Sequence, residues 1–150
     1  MQPHQRKPAY LSTLRSLMRC TQAFERYSGA HVRELGLTPA QFDVIATLGN
    51  TEGMTCKELG ERTLITKGTL TGVLDRLAAR GMIERHVDRN DARCLHISLT
   101  AQGVALFRKV FPNHVQHVER AFAHLSDQEQ NTLREHLTRL SDAFEEERHR

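Results

Sequence analysis

The sequence predicts a mainly α-helical chain carrying one small β-hairpin, and three observations predict it. Apolar residues recur at helical spacing over most of the length. The period drops to two only around residues 83–87 and 95–99, and helix starts and stops are marked by capping pairs and glycines. The 150 residues, 39% hydrophobic and 26% charged, suit a single domain over residues 1–150 that buries a core without staples.

Met1 to Pro8 is polar and basic and is expected to form a disordered arm. From about Tyr10 to Leu35, Leu14, Leu17, Met18, Phe24 and Tyr27 share one helical face, and Gly36 stops that helix. Thr38-Pro39-Ala40-Gln41 supplies a cap, a first-turn proline and a glutamine that reaches back, opening a second helix with Phe42, Ile45, Ala46 and Leu48 inward. Asn50 to Gly53 breaks the pattern. Thr55 and Glu58 then form a capping box for a short helix through Leu59 to about Arg62. A fourth helix, Thr66 to Arg80, is capped by Thr66, buries Leu70, Val73, Leu74 and Leu77, and ends at Gly81. Two helices across a tight turn make a helix-turn-helix.

After Gly81, Ile83, Arg85 and Val87 alternate with Glu84 and His86, and Leu95, Ile97 and Leu99 alternate with His96 and Ser98. Each run should form a strand with one apolar face, joined by the polar loop Asp88 to Cys94. Thr100 caps a fifth helix striped by Val104, Phe107, Phe111, Val115, Val118 and Phe122, which Pro112 should interrupt and kink. Ser126 and Glu129 box the start of a sixth, in which Leu133, Leu137, Leu140 and Phe144 form a packing seam. The whole reads as a winged helix-turn-helix over about residues 37–100. The long helices over about 10–35 and 101–147 have stripes that a second copy would bury. Such a dimer would set two recognition helices about 34 Å apart, one duplex turn.

Charge distribution agrees with an anionic partner. The net charge is only +3, but residues 1–34 carry six Lys/Arg against two acids and residues 61–100 seven against five, whereas residues 101–150 carry seven against eight. Six Phe, two Tyr and no Trp leave few platforms for stacking on unpaired bases, which favours duplex over single strands. No apolar run approaches a membrane span and no secretory leader opens the sequence, so the expectation is a cytoplasmic protein. Three widely spaced cysteines suit reduced thiols. Phosphate-binding loops, dinucleotide fingerprints, zinc-protease motifs and nucleophile elbows are all missing from the sequence, which points away from an enzyme and calls for no cofactor.

Leu59-Gly60-Glu61-Arg62-Thr63, Ile65 to Thr71, Asp75-Arg76-Leu77, Gly81 to Arg85, Asp91-Ala92-Arg93 and Leu99-Thr100-Ala101-Gln102-Gly103 follow one another in the order and spacing of a known pattern. Over about half its length the chain resembles the MarR family of bacterial transcriptional regulators. The resemblance implies a homodimer on a near-palindromic operator, each recognition helix in a major groove and each wing reaching a minor groove. It would act as a repressor released by a small molecule or an oxidant. Carried onto this chain, the contacts fall on Thr66, Lys67, Thr69, Thr71 and Arg76 of the recognition helix and on Arg89 and Arg93 of the wing. Asp91 is expected to orient Arg93 by a charge-assisted hydrogen bond, and Arg85 to pair with an aspartate of the wing. Gly68 and Gly72 stand where such helices usually present side chains, so base readout should be sparse and DNA shape should weigh more. The competing reading is a winged module that binds proteins only.

For the released state, the resemblance implies a small aromatic ligand or oxidation of cysteine. Cys56, at a helix start, and Cys94, beside Arg93, are the candidate redox-sensing thiols. Cys20, the third redox-sensing candidate, lies at the edge of the first helix's stripe, where burial as an inert thiol is the common case. His114 and His117 stand three apart on the fifth helix, with His31 or His124 as further ligands for a metal, but without a matching carboxylate or cysteine the better reading is a solvated helical face.

Overall fold

A computed structural model describes residues 8–63 and 65–150. The basic arm expected over Met1 to Pro8 lies, but for Pro8, outside the described residues. The elements are α1 (Ala9–Glu34), α2 (Pro39–Leu48), β1 (Met54–Thr55), α3 (Cys56–Thr63), α4 (Lys67–Ala79), β2 (Ile83–Val87), β3 (Leu95–Leu99), α5 (Ala101–Phe122) and α6 (Asp127–Arg148). Two compact units divide the chain between His114 and Val115.

In the first unit, local chemistry sets the helix boundaries. Gly36, at φ +83°, closes α1: its amide donates to Arg33 O, and the Leu37 amide donates to Val32 O. Leu37 and Val32 then share a small core with Phe42 and Val110, the apolar contact that accompanies this type of helix stop. Both capping boxes form as expected: Gln41 N donates to Thr38 Oγ1 and Thr38 N to Gln41 Oε1, and Thr55 and Glu58 do the same for α3. Helix α4 ends like α1, with Gly81 at φ +72°, Gly81 N donating to Ala78 O and Met82 N to Leu77 O.

The sheet has three antiparallel strands in the order β1-β3-β2, with Ile83 opposite Leu99, Val87 opposite Leu95 and Met54 opposite Ile97. Strand β1 adds a third strand to the expected hairpin; at two residues it is too short to show a period. Ile45, Leu48, Leu59, Leu70, Leu74, Leu77, Ile83, Ile97 and Phe107 form one core between the helices and the sheet. The apolar face of the hairpin is buried at its base, through Ile83 and Ile97, while among the described residues nothing covers Val87 and Leu95.

The start of α5 is tied to the end of α4. Thr100 Oγ1 donates to Gly81 O at 2.5 Å and accepts from Gly103 N at 3.1 Å, while Thr100 N donates to Met82 O. A Cβ on Gly103 would stand 2.0 Å from Met82 O, so that close approach requires glycine. The Leu99-to-Gly103 pattern therefore records a junction: it anchors the root of the wing to the end of the recognition helix.

Pro112 does not interrupt α5, contrary to the sequence expectation; the helix runs on to Phe122. Asn113 Nδ2 donates to Lys109 O at 2.8 Å, one turn back, while the carbonyl that Pro112 leaves without its helical donor is that of Arg108. In the second unit, the rest of α5 turns into α6 through Gln130, whose Nε2 donates to Phe122 O and Leu125 O. The Ser126–Glu129 capping box forms there, and hydrogen bonding from the Ser126 backbone amide, then from its hydroxyl, holds the Glu129 carboxyl below the usual carboxylate range. None of α6 is buried: Leu133, Leu137 and Phe144 are exposed.

Candidate nucleic-acid interface

The recognition helix is oriented by its core stripe. Leu70, Val73, Leu74 and Leu77 are all buried, so Lys67, Thr69, Thr71 and Arg76 face outward and are exposed, with Thr66 exposed just before the helix. Thr66 has the extended backbone of a cap, but its side chain does not cap. Its Oγ1 donates to Thr69 Oγ1 at 3.0 Å and makes no cap bond to the amides of the first turn. This corrects the expectation and leaves the amide end of α4 facing out beside Lys67, the arrangement that attracts phosphate. Thr71 Oγ1 lies 3.4 Å from Lys67 O, a weak return to its own helix. Cβ atoms on Gly68 and Gly72 would meet nothing within 4 Å, so both glycines leave open surface.

Arg85 pairs with Asp75 of α4 at 2.6 Å, and not with an aspartate of the wing as expected. Strand alternation aims Arg85 back at the helix, across the sheet face that carries Ile83. With Asp75 so engaged, Arg76 makes no ion pair among the described residues. Arg80 reaches Gly36 O at 3.3 Å and Gln41 Oε1 at 3.4 Å, anchoring the far end of α4; neither partner is near it in sequence, so nothing there announced the contact.

The wing is a polar turn held by its own carboxylates. Asp88 Oδ1 accepts from Asn90 N at 2.7 Å, Asp91 Oδ1 accepts from Arg93 N at 3.0 Å, and Asp88 N donates to Cys94 O at 2.9 Å. Asp91 therefore shapes the backbone beneath Arg93 and does not grip its guanidinium, which corrects the orienting role expected of it. Arg89 and Arg93 are exposed, and neither makes an ion pair among the described residues.

The cysteines differ in setting. Cys20 is exposed on α1, not buried at the edge of a core as expected. Partial burial pushes the Cys94 thiol up, reinforced by the charge of Asp91 and an Sγ–Oδ2 contact of 3.7 Å and by Asp88, against a smaller pull from Lys57. Arg93 has no part in that balance, so the thiolate expected from its neighbourhood is disfavoured. Cys56 is half-buried and lines a cavity of about 400 Å³ between α3 and α4 with Lys57, Gly60, Glu61, Ile65, Lys67 and Leu70.

His114 overturns its solvated-face reading. It is buried, its Nε2 lies 3.0 Å from Ser28 Oγ and its Nδ1 2.9 Å from His31 Nδ1, and its ring meets the edge of Phe42 at 4.5 Å. The packing of α1 and α2 against α5 creates this polar cluster. The helical period of α5 alone did not place His114 inside. Among the described residues, no three His, Cys, Asp or Glu side chains are grouped as a metal would need. No helix is long and apolar enough to cross a membrane, again among the described residues.

Residues 35–93 match the family model of the MarR family. A solved structure of a probable transcriptional regulator from Pseudomonas aeruginosa is 36% identical, with a TM-score of 0.69 over 82% of this chain and 94% of that one. YetL of Bacillus subtilis, an HTH-type transcriptional repressor, is 30% identical over 112 residues, 73% of this chain and 65% of its own. Sco3205 of Streptomyces coelicolor, a MarR family regulator solved in complex with DNA, has the same fold: its TM-score is 0.82 at 22% identity, over 95% of this chain and 92% of that one.

Proposed function

The chain belongs to the MarR family of transcriptional regulators, a DNA-binding family and not an enzyme family, and on that premise we propose that it is a cytoplasmic homodimeric repressor of a near-palindromic operator. One observation carries the reading: two exposed wing arginines, Arg89 and Arg93, stand on a turn braced by Asp88 and Asp91, beside a helix that presents Lys67, Thr69, Thr71 and Arg76 outward. Helix α4 enters a major groove, with Thr66, Thr69 and Lys67 on phosphate and Thr71 at base edges. Arg76 holds the backbone, and the wing reaches the minor groove.

The homodimer is supported by apolar side chains that stand exposed on the terminal helices, among them Leu14, Met18 and Phe24 on α1 and Leu133, Leu137 and Phe144 on α6. A second copy burying them would stabilise both. Release comes from a small aromatic ligand or from oxidation. Of the thiols, Cys56, at the amino end of α3 and in a cavity, suits oxidation better than Cys94, whose thiolate is opposed by Asp91.

The test is a gel shift with the DNA upstream of the protein's own gene at two salt concentrations. Sequence-specific retardation that weakens steeply with salt is expected. Absence of binding to any duplex would leave the winged domain as a protein-contact module.

A further inference from the structure

Within residues 37–100, the large apolar side chains that stand exposed among the described residues are Val87 and Leu95, at 60% and 45%. The other exposed ones belong to α1, α5, α6 and the turn between the last two, where a second copy of the chain accounts for them. Val87 and Leu95 are direct partners in the β2–β3 register and so form one patch. Alternation puts them on the face that also carries Ile83, Arg85, Ile97 and Leu99. That face is turned toward α4, since Arg85 bonds to Asp75 and Ile83 and Ile97 share the core of Leu74 and Leu77. The patch therefore lies on the recognition-helix side of the wing, between the Asp75–Arg85 bridge and the tip that bears Arg89 and Arg93.

We propose that the Val87–Leu95 pair is a DNA-contacting surface that packs on the deoxyribose of the backbone running between the groove entered by α4 and the groove reached by the wing. This rests on the DNA-binding reading above. Two side chains fall far short of the roughly 800 Å² per partner that a stable protein interface uses, but they match the apolar side of a sugar. The flanking arginines supply the phosphate affinity around them. A sugar contact adds affinity by removing apolar surface from water without releasing counterions, so it differs in its salt dependence from an arginine contact.

The experiment uses the full chain and a duplex of about 30 base pairs selected by the wild type from a random pool, long enough for two half-sites. Dissociation constants are measured over a range of salt for wild type, Val87→Thr/Leu95→Thr, Val87→Ile/Leu95→Ile and Arg93→Ala. The threonine pair places β-branched side chains, which suit a strand, at both positions and is expected to bind about 5–20-fold more weakly at every salt concentration, with the wild-type salt slope. The isoleucine pair should bind as well as wild type, and Arg93→Ala should flatten the slope. Wild-type affinity in the threonine pair overturns the inference while leaving the regulator reading intact. Equal losses in the threonine and isoleucine pairs, a flattened slope in the threonine pair, or a loss that tracks a changed oligomeric state in light scattering also overturn it. A wild type that binds no duplex overturns the DNA reading and this inference with it.

Discussion

Helix α4 and the β2–β3 wing stand side by side and present their polar groups to opposite effect. On α4, Asp75 is bonded to Arg85, the Thr66 hydroxyl to Thr69, and two outward positions are glycines. In the wing, Asp88 and Asp91 turn inward onto backbone amides and both arginines stand free of ion pairs among the described residues. A helix with a buried stripe is held by its core, so its surface is available for ties to its neighbours. A turn without a core must be held by its own carboxylates, which keeps them away from the arginines. Both regions thus present two exposed cations, Lys67 and Arg76 on the helix and Arg89 and Arg93 in the wing, but only the wing keeps its carboxylates for its own backbone.

The junction that fixes one region relative to the other offers the largest effect. Gly103→Ala should cost about 3 kcal/mol in urea unfolding, because its Cβ would press on the Met82 carbonyl at 2.0 Å. A cost below about 1 kcal/mol would show that the root of the wing is free to shift. Arg93→Ala should weaken operator binding by about 1–3 kcal/mol and lower the salt slope by about one, with unchanged melting; equal affinity would shift the weight to the helix.

Smaller changes sharpen the same contrast. Gly72→Ala should stabilise the fold by up to about 1 kcal/mol in thermal melts, since it adds helix propensity where nothing lies within 4 Å. Destabilisation would show that α4 needs the glycine for its own packing. Asp75→Asn should change stability by no more than about 0.5 kcal/mol, since the Asp75 and Arg85 side chains are 59% and 32% exposed and solvent screens the pair. Last, Asp91→Asn keeps an acceptor for Arg93 N but removes the charge that raises the Cys94 thiol. With the pKa lowered, more thiolate is present near neutral pH, so Cys94 should alkylate faster than in wild type. An unchanged rate would mean that burial alone holds the thiol up.

Much of this was legible along the chain because it is local. Capping pairs at Thr38/Gln41, Thr55/Glu58 and Ser126/Glu129 and stops at Gly36 and Gly81 act over a few residues, and the Leu70-Val73-Leu74-Leu77 stripe advances by four or fewer at each step. What failed was non-local or competitive. Arg85 had two kinds of carboxylate to choose from, α5 continues through Pro112 to Phe122, and Cys20 stands exposed on α1.

The winged helix-turn-helix and its polar, cationic wing could be read along the chain, because backbone hydrogen bonding, turn chemistry and side-chain period act over a few residues. That Asp75 holds Arg85, that His114 is buried against His31 and Ser28, and that Val87 and Leu95 are left bare on the side facing α4 emerges from the folded chain alone. Each depends on which distant elements meet. Strand register and helix packing settle that across dozens of residues, and no short pattern along the chain encodes it.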